Sequence, residues 1–129
     1  MKRQKVFVSF DFDNDSIIKM LLVNQSKHAD TPFDIWDSSV KEHMDGDWVS
    51  KVKGKIRNVD IVCVLCGEKT HTAKGVAVEL QIAKDLGKAY FLLKGYKEST
   101  CTKPTTASNV DKIYNWTWDN LKTLIHGGR

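Results

Sequence analysis

Along most of this chain, short apolar runs of strand character alternate with longer amphipathic ones. Lys5 to Phe10 alternates and is rich in Val and Phe, which predicts a first strand. Asp11 to Asp15 is the loop after it, with Asn14 or Asp15 placed to cap a helix. That helix is expected from Ser16 to Lys27, with Ile17, Met20, Leu21 and Asn24 on its apolar stripe. Thr31-Pro32 breaks the chain, and Phe33 to Trp36 predicts a short second strand. A polar loop follows from Asp37 to Asp47. Asp47 to Asn58 then carries Trp48, Val49, Val52 and Ile56 at helical spacing. From Asp60 to Leu65 the chain is almost unbroken in its apolar, β-branched character, as expected of a central parallel strand covered on both faces. Gly67 to Thr72 is polar turn, Lys74 to Leu86 is helix, and Gly87 is its stop. Ala89 to Leu93 predicts a fourth strand and Val110 to Ile113 a fifth. Thr117 caps a last helix, Trp118 to Ile125, with Leu121, Leu124 and Ile125 inward.

Strands alternating with helices predict an α/β domain built on a parallel sheet. The natural arrangement is flavodoxin-like: five parallel strands in the order 2-1-3-4-5, with helices on both faces. Such sheets bind ligands beyond the carboxyl ends of the strands, at the switch point between the first and third. Ser9 to Asp13 and Gly67 to Thr72 are expected to converge there, although they are distant in sequence.

One residue breaks the pattern of the helix after the third strand. With about 100° per residue, Gln81, Lys84 and Asp85 form the solvent arc. Val76, Val78, Leu80, Ile82, Ala83 and Leu86 lie mostly on the opposite side. Glu79 falls in the middle of that apolar arc. A carboxylate buried there needs a partner, an opening to solvent or a ligand, because an unpaired charge is costly to bury. It can be a structural anchor of nearby backbone, or a functional acid. The capping box does not explain it, since Thr72 as cap puts Gly75, not Glu79, three residues on.

Composition narrows the class without naming a chemistry. The 129 residues, 41% hydrophobic and 28% charged, suit one soluble globular domain spanning residues 1–129. No apolar run approaches the roughly 18 residues of a membrane span, and the N-terminus has no signal-peptide core, so a cytoplasmic protein is expected. The net charge of +4 is mild. Lys51, Lys53, Lys55 and Arg57 are not interleaved with aromatics, which favours a solvated helix face over a nucleic-acid surface. Cys63 and Cys66 have C-x-x-C spacing, but residues three apart in a strand point to opposite faces. They are expected to be packing residues, and no metal site is expected.

Several chemistries are disfavoured by the loops. No Gly-rich turn follows the first strand, so a phosphate cradle of the P-loop or dinucleotide type is not expected. No nucleophile elbow follows any strand. A phosphoacceptor domain needs an Asp at the end of the third strand, where Cys66-Gly67 stand here.

VFVSFDFDND, TPFDIWDSSVKE and DIVCVLCGEKTHTAKGVAVELQIAKDLGK resemble, in order and spacing, the small bacterial and archaeal TIR-like proteins. That group includes the TIR-like subunit of the Thoeris anti-phage system. The resemblance spans Lys5 to Leu93 and weakens through the Trp-rich last helix. It implies a five-stranded TIR-like fold. In catalytic relatives it implies cleavage of NAD+ as substrate, with no separate cofactor, to nicotinamide and an ADP-ribose-type product, cyclic or conjugated. The family's catalytic Glu matches Glu79, and its Ser-aromatic pair matches Ser9-Phe10. The loop that often lies over the ligand matches Trp36 to Glu42. Asp11 and His71 are further candidates for ribose or phosphate, and Phe10, Phe12 or Trp36 for ring stacking. The implied partners are NAD+ or a related nucleotide, further copies of the chain, and a separate effector that responds to the product. Nucleic acid and membrane are not among them. Many TIR NADases carry a Trp shortly before the catalytic Glu, where this chain has Gly75 to Val78. That departure is what a non-catalytic interaction or nucleotide-binding module would have.

Overall fold

A computed structural model describes residues 4–12, 14–27, 33–38, 46–96 and 99–126. Its strands are β1 (Gln4–Ser9), β2 (Phe33–Ser38), β3 (Ile61–Cys66), β4 (Ala89–Lys94) and β5 (Ile113–Tyr114). Its helices are α1 (Ser16–Ser26), α2 (Gly46–Arg57), α3 (Lys74–Asp85) and α4 (Trp118–Ile125). The strands form a five-stranded sheet in the order β2-β1-β3-β4-β5, and every pairing is parallel. The expected α/β architecture and strand order are therefore those of the structure.

β3 is the centre of the sheet, and all six of its residues are buried. Its alternation divides the core in two. Ile61, Cys63 and Leu65 pack with Ile18 and Leu22 of α1 and with Leu121, Leu124 and Ile125 of α4. Val62, Val64 and Cys66 pack with Val52 and Ile56 of α2 and with Val76, Leu80 and Ala83 of α3. Cys63 and Cys66 thus face opposite layers, as the strand period requires. Burial pushes both thiols up, away from the reactive thiolate.

Local chemistry sets the helix ends. The Thr117 side chain accepts from Asn120 N–H at 3.1 Å, as an N-cap should. At the end of α3, Gly87 has φ +68°. Lys88 N–H donates to Ala83 O at 2.9 Å and Gly87 N–H to Lys84 O at 3.0 Å, the paired bonds of a Schellman stop.

Three expectations are corrected. The apolar stripe expected for α1 is its outer face: Ile17, Met20 and Leu21 are 73%, 61% and 54% exposed. Asn24 is exposed as well. The doublets Ile17-Ile18 and Leu21-Leu22 supply two candidate stripes, and Ile18, Leu22 and Ser26 form the buried one. Ser26 can be buried because its hydroxyl donates to Val23 O within the helix. Second, Asp15 stands at the N-cap of α1, but its side chain makes no capping bond. Third, β5 begins at Ile113, where the expected strand ended. Val110 is 89% exposed, and Asp111 turns inward to the Tyr90 hydroxyl and Ser108 N–H.

β2 continues to Ser38, two residues beyond expectation, and its register against β1 shifts at Trp36. Val6 pairs with Ile35 and Phe7 with Asp37, so Trp36 is an extra residue on its strand. The rest of the expected ligand-covering loop, residues 39–42, lies outside the described residues.

Candidate functional site

The period of β1 aims Ser9 at α3. Phe7 belongs to the α2/α3 layer, and Ser9, two residues on, faces the same way. Glu79 comes from α3 to meet it. The Ser9 hydroxyl donates to Glu79 Oε1 at 2.7 Å, with Ser9 wholly buried and Glu79 2% exposed. A hydrogen bond to a carboxylate is worth about 1.5–3 kcal/mol, and it is needed here because the helix surface around Glu79 is apolar. The bond lies at the end of β1, whose Ser9 pairs with Val64, two residues before the end of β3.

Phe10 does not join this pair. It points to the other layer, 3% exposed, among Val8, Ile18 and Leu22. The Phe12 ring lies 6.0 Å from it, centroid to centroid. Asp11 is also buried and organises its own loop. Its carboxylate accepts from Asn14 Nδ2 at 2.7 Å, and its carbonyl accepts from the Asn14 and Asp15 amides. His71 sits exposed on a 3-10 turn, Thr70–Thr72, with Nδ1 2.9 Å from the Thr102 hydroxyl. Trp36 contributes the unpaired backbone position in β2.

A second carboxylate enters that sequence reasoning did not propose as a site residue. Asp15 is 3% exposed, and Oδ1 accepts from the Tyr96 hydroxyl at 2.8 Å. Its Oδ2 is buried with no hydrogen-bond partner among the described residues. Leaving a buried polar atom unsatisfied costs about 1–3 kcal/mol. Burial holds the Asp15 carboxyl above the ordinary aspartate range. The Tyr96 bond opposes that shift, and the nearby Asp11 charge adds to it. Tyr96 is in turn pushed up to about 12, by burial first and then by its bond to Asp15. The signal in the sequence was faint: one more acid in DFDND, and a Gly directly after the buried strand. Tyr96 gave none, lying 81 positions away.

Among the described residues, one cavity adjoins Asp15 and Tyr96 and another lies apart from them. One of about 280 Å³ is lined by Asn14, Asp15, Glu68, Lys69, Tyr96 and Ser99. A larger one of about 720 Å³ lies between α1 and the start of α4, beside Leu21, Gln25, Trp116 and Trp118. Neither is lined by Ser9 or Glu79.

A family model described as Thoeris protein ThsB, TIR-like domain, matches residues 7–99. The chain belongs to that family. The ThsB TIR-like match runs from within β1 through β4 and includes every candidate residue above, while β5 and α4 lie beyond it. Among solved structures, the fold is similar to that of a prokaryotic SEFIR domain, with a TM-score of 0.52 and 16% identity. That likeness covers 95% of this chain and 88% of the other, and at such identity it concerns the fold alone. No curated protein matches the chain. Among the described residues, no helix is long and apolar enough to cross a membrane.

Proposed function

We propose that this ThsB-family chain is an NAD+-cleaving enzyme of anti-phage defence. It breaks the nicotinamide–ribose bond and yields nicotinamide and an ADP-ribose-type nucleotide, cyclic or conjugated, that a separate effector reads in the cytoplasm. The observation that carries this reading is the position of Glu79. It is a carboxylate on the sheet face of α3, bonded to Ser9 at the carboxyl end of β1, beside Val64 of β3. Sheets of this order bind ligands at that crossing.

The chemistry asks for what Glu79 offers. Nicotinamide leaves as a neutral molecule, so a strong acid is not required. A carboxylate that holds the ribose hydroxyls and opposes the positive charge of an oxocarbenium-like state is required. Ser9 fixes the carboxylate through Oε1. In this reading Asp11, Trp36 and His71 supply further substrate contacts, while Phe10 packs in the α1 layer.

A second reading has its own support. Glu79 is 2% exposed, as suits an anchor in a non-catalytic module that binds a protein or a nucleotide. Incubating the purified protein with NAD+ and following free nicotinamide separates the two. Release by the wild type and its loss in Glu79→Gln is the expected result. A wild type that releases none, alone or with lysate from phage-infected cells, turns the reading to the module.

A further inference from the structure

The cavity of about 720 Å³ between α1 and the start of α4 has no part in the proposed cleavage. Its walls are fixed by bonds that cross the fold. Trp116 Nε1 donates to Gln25 Oε1 of α1 at 2.9 Å, across 91 positions of sequence. Thr117 N–H and Asn120 Nδ2 both donate to Asn115 O, at 3.0 and 2.9 Å, and close the turn from which α4 starts. Where β4 ends, Gly95 lies tight against α1, since an added Cβ would collide with the Ile18 side chain. The cavity is therefore formed before a ligand enters. Its size falls among sites for small organic molecules, about 300–1,000 Å³.

The lining sets the character of the ligand. Trp116, Trp118 and Leu21 supply apolar surface, while Gln25, Asn115 and Thr117 supply amides and a hydroxyl. Among the described residues no carboxylate lines the cavity. Its one cationic residue, Lys94, has the strand parity of Tyr90 and Leu92, which belong to the opposite layer. A charged ligand would lose water here without gaining an opposite charge. A wholly apolar ligand would cover Trp118 Nε1 and the Asn115 side-chain amide, neither of which has a hydrogen-bond partner among the described residues. A ring with an apolar face and a rim of hydroxyls meets both conditions, and a pyranose is such a ring. Its C–H groups lie against an indole face, and its hydroxyls donate to and accept from neutral amides. Lys122 Nζ lies over one face of the Trp118 ring, 6.0 Å from its centroid, which leaves the other face for stacking.

We propose that this cavity binds a neutral pyranose, with the indoles of Trp116 and Trp118 as stacking surface and Asn115, Thr117 and Trp118 Nε1 as partners of its hydroxyls. The site is independent of the Ser9–Glu79 pair and does not rest on NAD+ cleavage.

The test titrates the intact protein with the methyl glycosides of glucose, galactose, mannose and N-acetylglucosamine, with the indole N–H resonances as readout. At least one glycoside is expected to give saturable shifts at Trp116 and Trp118 while Trp48 stays unmoved. Trp118→Ala should weaken that glycoside about tenfold or more, and Asn115→Ala severalfold, both at melting temperatures near wild type. Where Trp118→Ala does not fold, Asn115→Ala decides. Cyclohexanol, a six-membered ring with one hydroxyl, should bind about tenfold more weakly, and so should glucose 6-phosphate, which separates a glycan end from a phosphorylated monosaccharide. Binding of none of the four glycosides, equal binding of cyclohexanol, tighter binding of glucose 6-phosphate, or an affinity that survives the deciding variant each overturns the proposal. A larger shift of these two indoles by NAD+ than by any glycoside overturns it as well, because the cavity would then belong to the nucleotide. A wild type that never cleaves NAD+ yet binds the glycoside leaves this site standing and removes only the catalytic reading.

Discussion

The Ser9 hydroxyl donates to Glu79 Oε1 at 2.7 Å, across 70 positions of sequence, where the last residue of β1 meets the sheet face of α3. The bond joins stability to the proposed chemistry, and the two can be separated by substitution. Glu79→Gln keeps the volume and still accepts from Ser9, so the melting temperature should change little. If the charge opposes an oxocarbenium-like state, NAD+ cleavage should fall by about 100-fold or more, since about 3 kcal/mol corresponds to that factor. Ser9→Ala should do the reverse in proportion. It removes a buried donor to Glu79 and should cost about 1–3 kcal/mol in denaturant unfolding, with a smaller loss of turnover. A Gln variant that cleaves NAD+ normally but melts much earlier would make Glu79 an anchor only.

The two faces of α1 give a second prediction. Ile17→Glu and Met20→Lys alter side chains that are 73% and 61% exposed, and each should stay within about 0.5 kcal/mol of wild type. Ile18→Ala and Leu22→Ala remove buried side chains and should each cost about 2–5 kcal/mol. Urea midpoints of the four variants check the assignment. Equal losses on both faces would mean that the outer stripe is covered in solution.

The same helix marks where the sequence stops being legible. β3 was readable because an apolar run buried on both faces has no register ambiguity. Glu79 was readable because one polar residue interrupts a consistent helical arc. In α1 the two doublets satisfy the helical period equally well, and the choice between them is made by how the Asp11–Asp15 turn delivers the chain onto the sheet. Ser9 and Phe10 looked like one feature as neighbours in sequence. The strand period sends them to opposite layers, a consequence that was available from parity alone. The Asp15–Tyr96 contact was not available, because nothing local to either residue specifies the other.

Two buried aspartates should respond to pH with opposite sign. Burial alone would raise Asp111, but Ser108 N–H, the Tyr90 hydroxyl and the Lys84 charge together bring it below the ordinary 3.8. Its contribution to stability is then present above pH 3.8 and lost as pH falls through the lower folded value. Asp111→Asn should therefore cost stability at pH 7 and converge on wild type in strong acid. Asp15 is raised by its burial, so its contribution is present below the ordinary 3.8 and is lost as pH rises through its folded value. Asp15→Asn should match wild type in acid and melt higher at pH 7. Melting temperatures of the three proteins across that range check both signs, and parallel curves would refute them.

The contact between Asp15 and Gly67 gives the last prediction, because it separates a steric cause from a conformational one. Gly67 does not have a positive φ, so backbone freedom is not why a glycine stands there. The reason is proximity: an added Cβ would lie 2.6 Å from each Asp15 oxygen and 2.9 Å from Cγ. Asp15 cannot yield cheaply, since its side chain is buried and tied to Tyr96. Gly67→Ala should therefore cost about 1–3 kcal/mol, the range of overpacking in a well-filled interior. Removing the obstacle should remove the cost. In an Asp15→Ala background, Gly67→Ala should be nearly neutral, giving a coupling of about 1 kcal/mol or more in a double-mutant cycle. Gly87→Ala is the control. It has φ +68° and nothing within 4 Å of an added Cβ, so its penalty is conformational and should be the same in both backgrounds. If Gly67→Ala costs as much without the Asp15 side chain as with it, the carboxylate does not lie over Gly67, and the pocket beside it loses its wall.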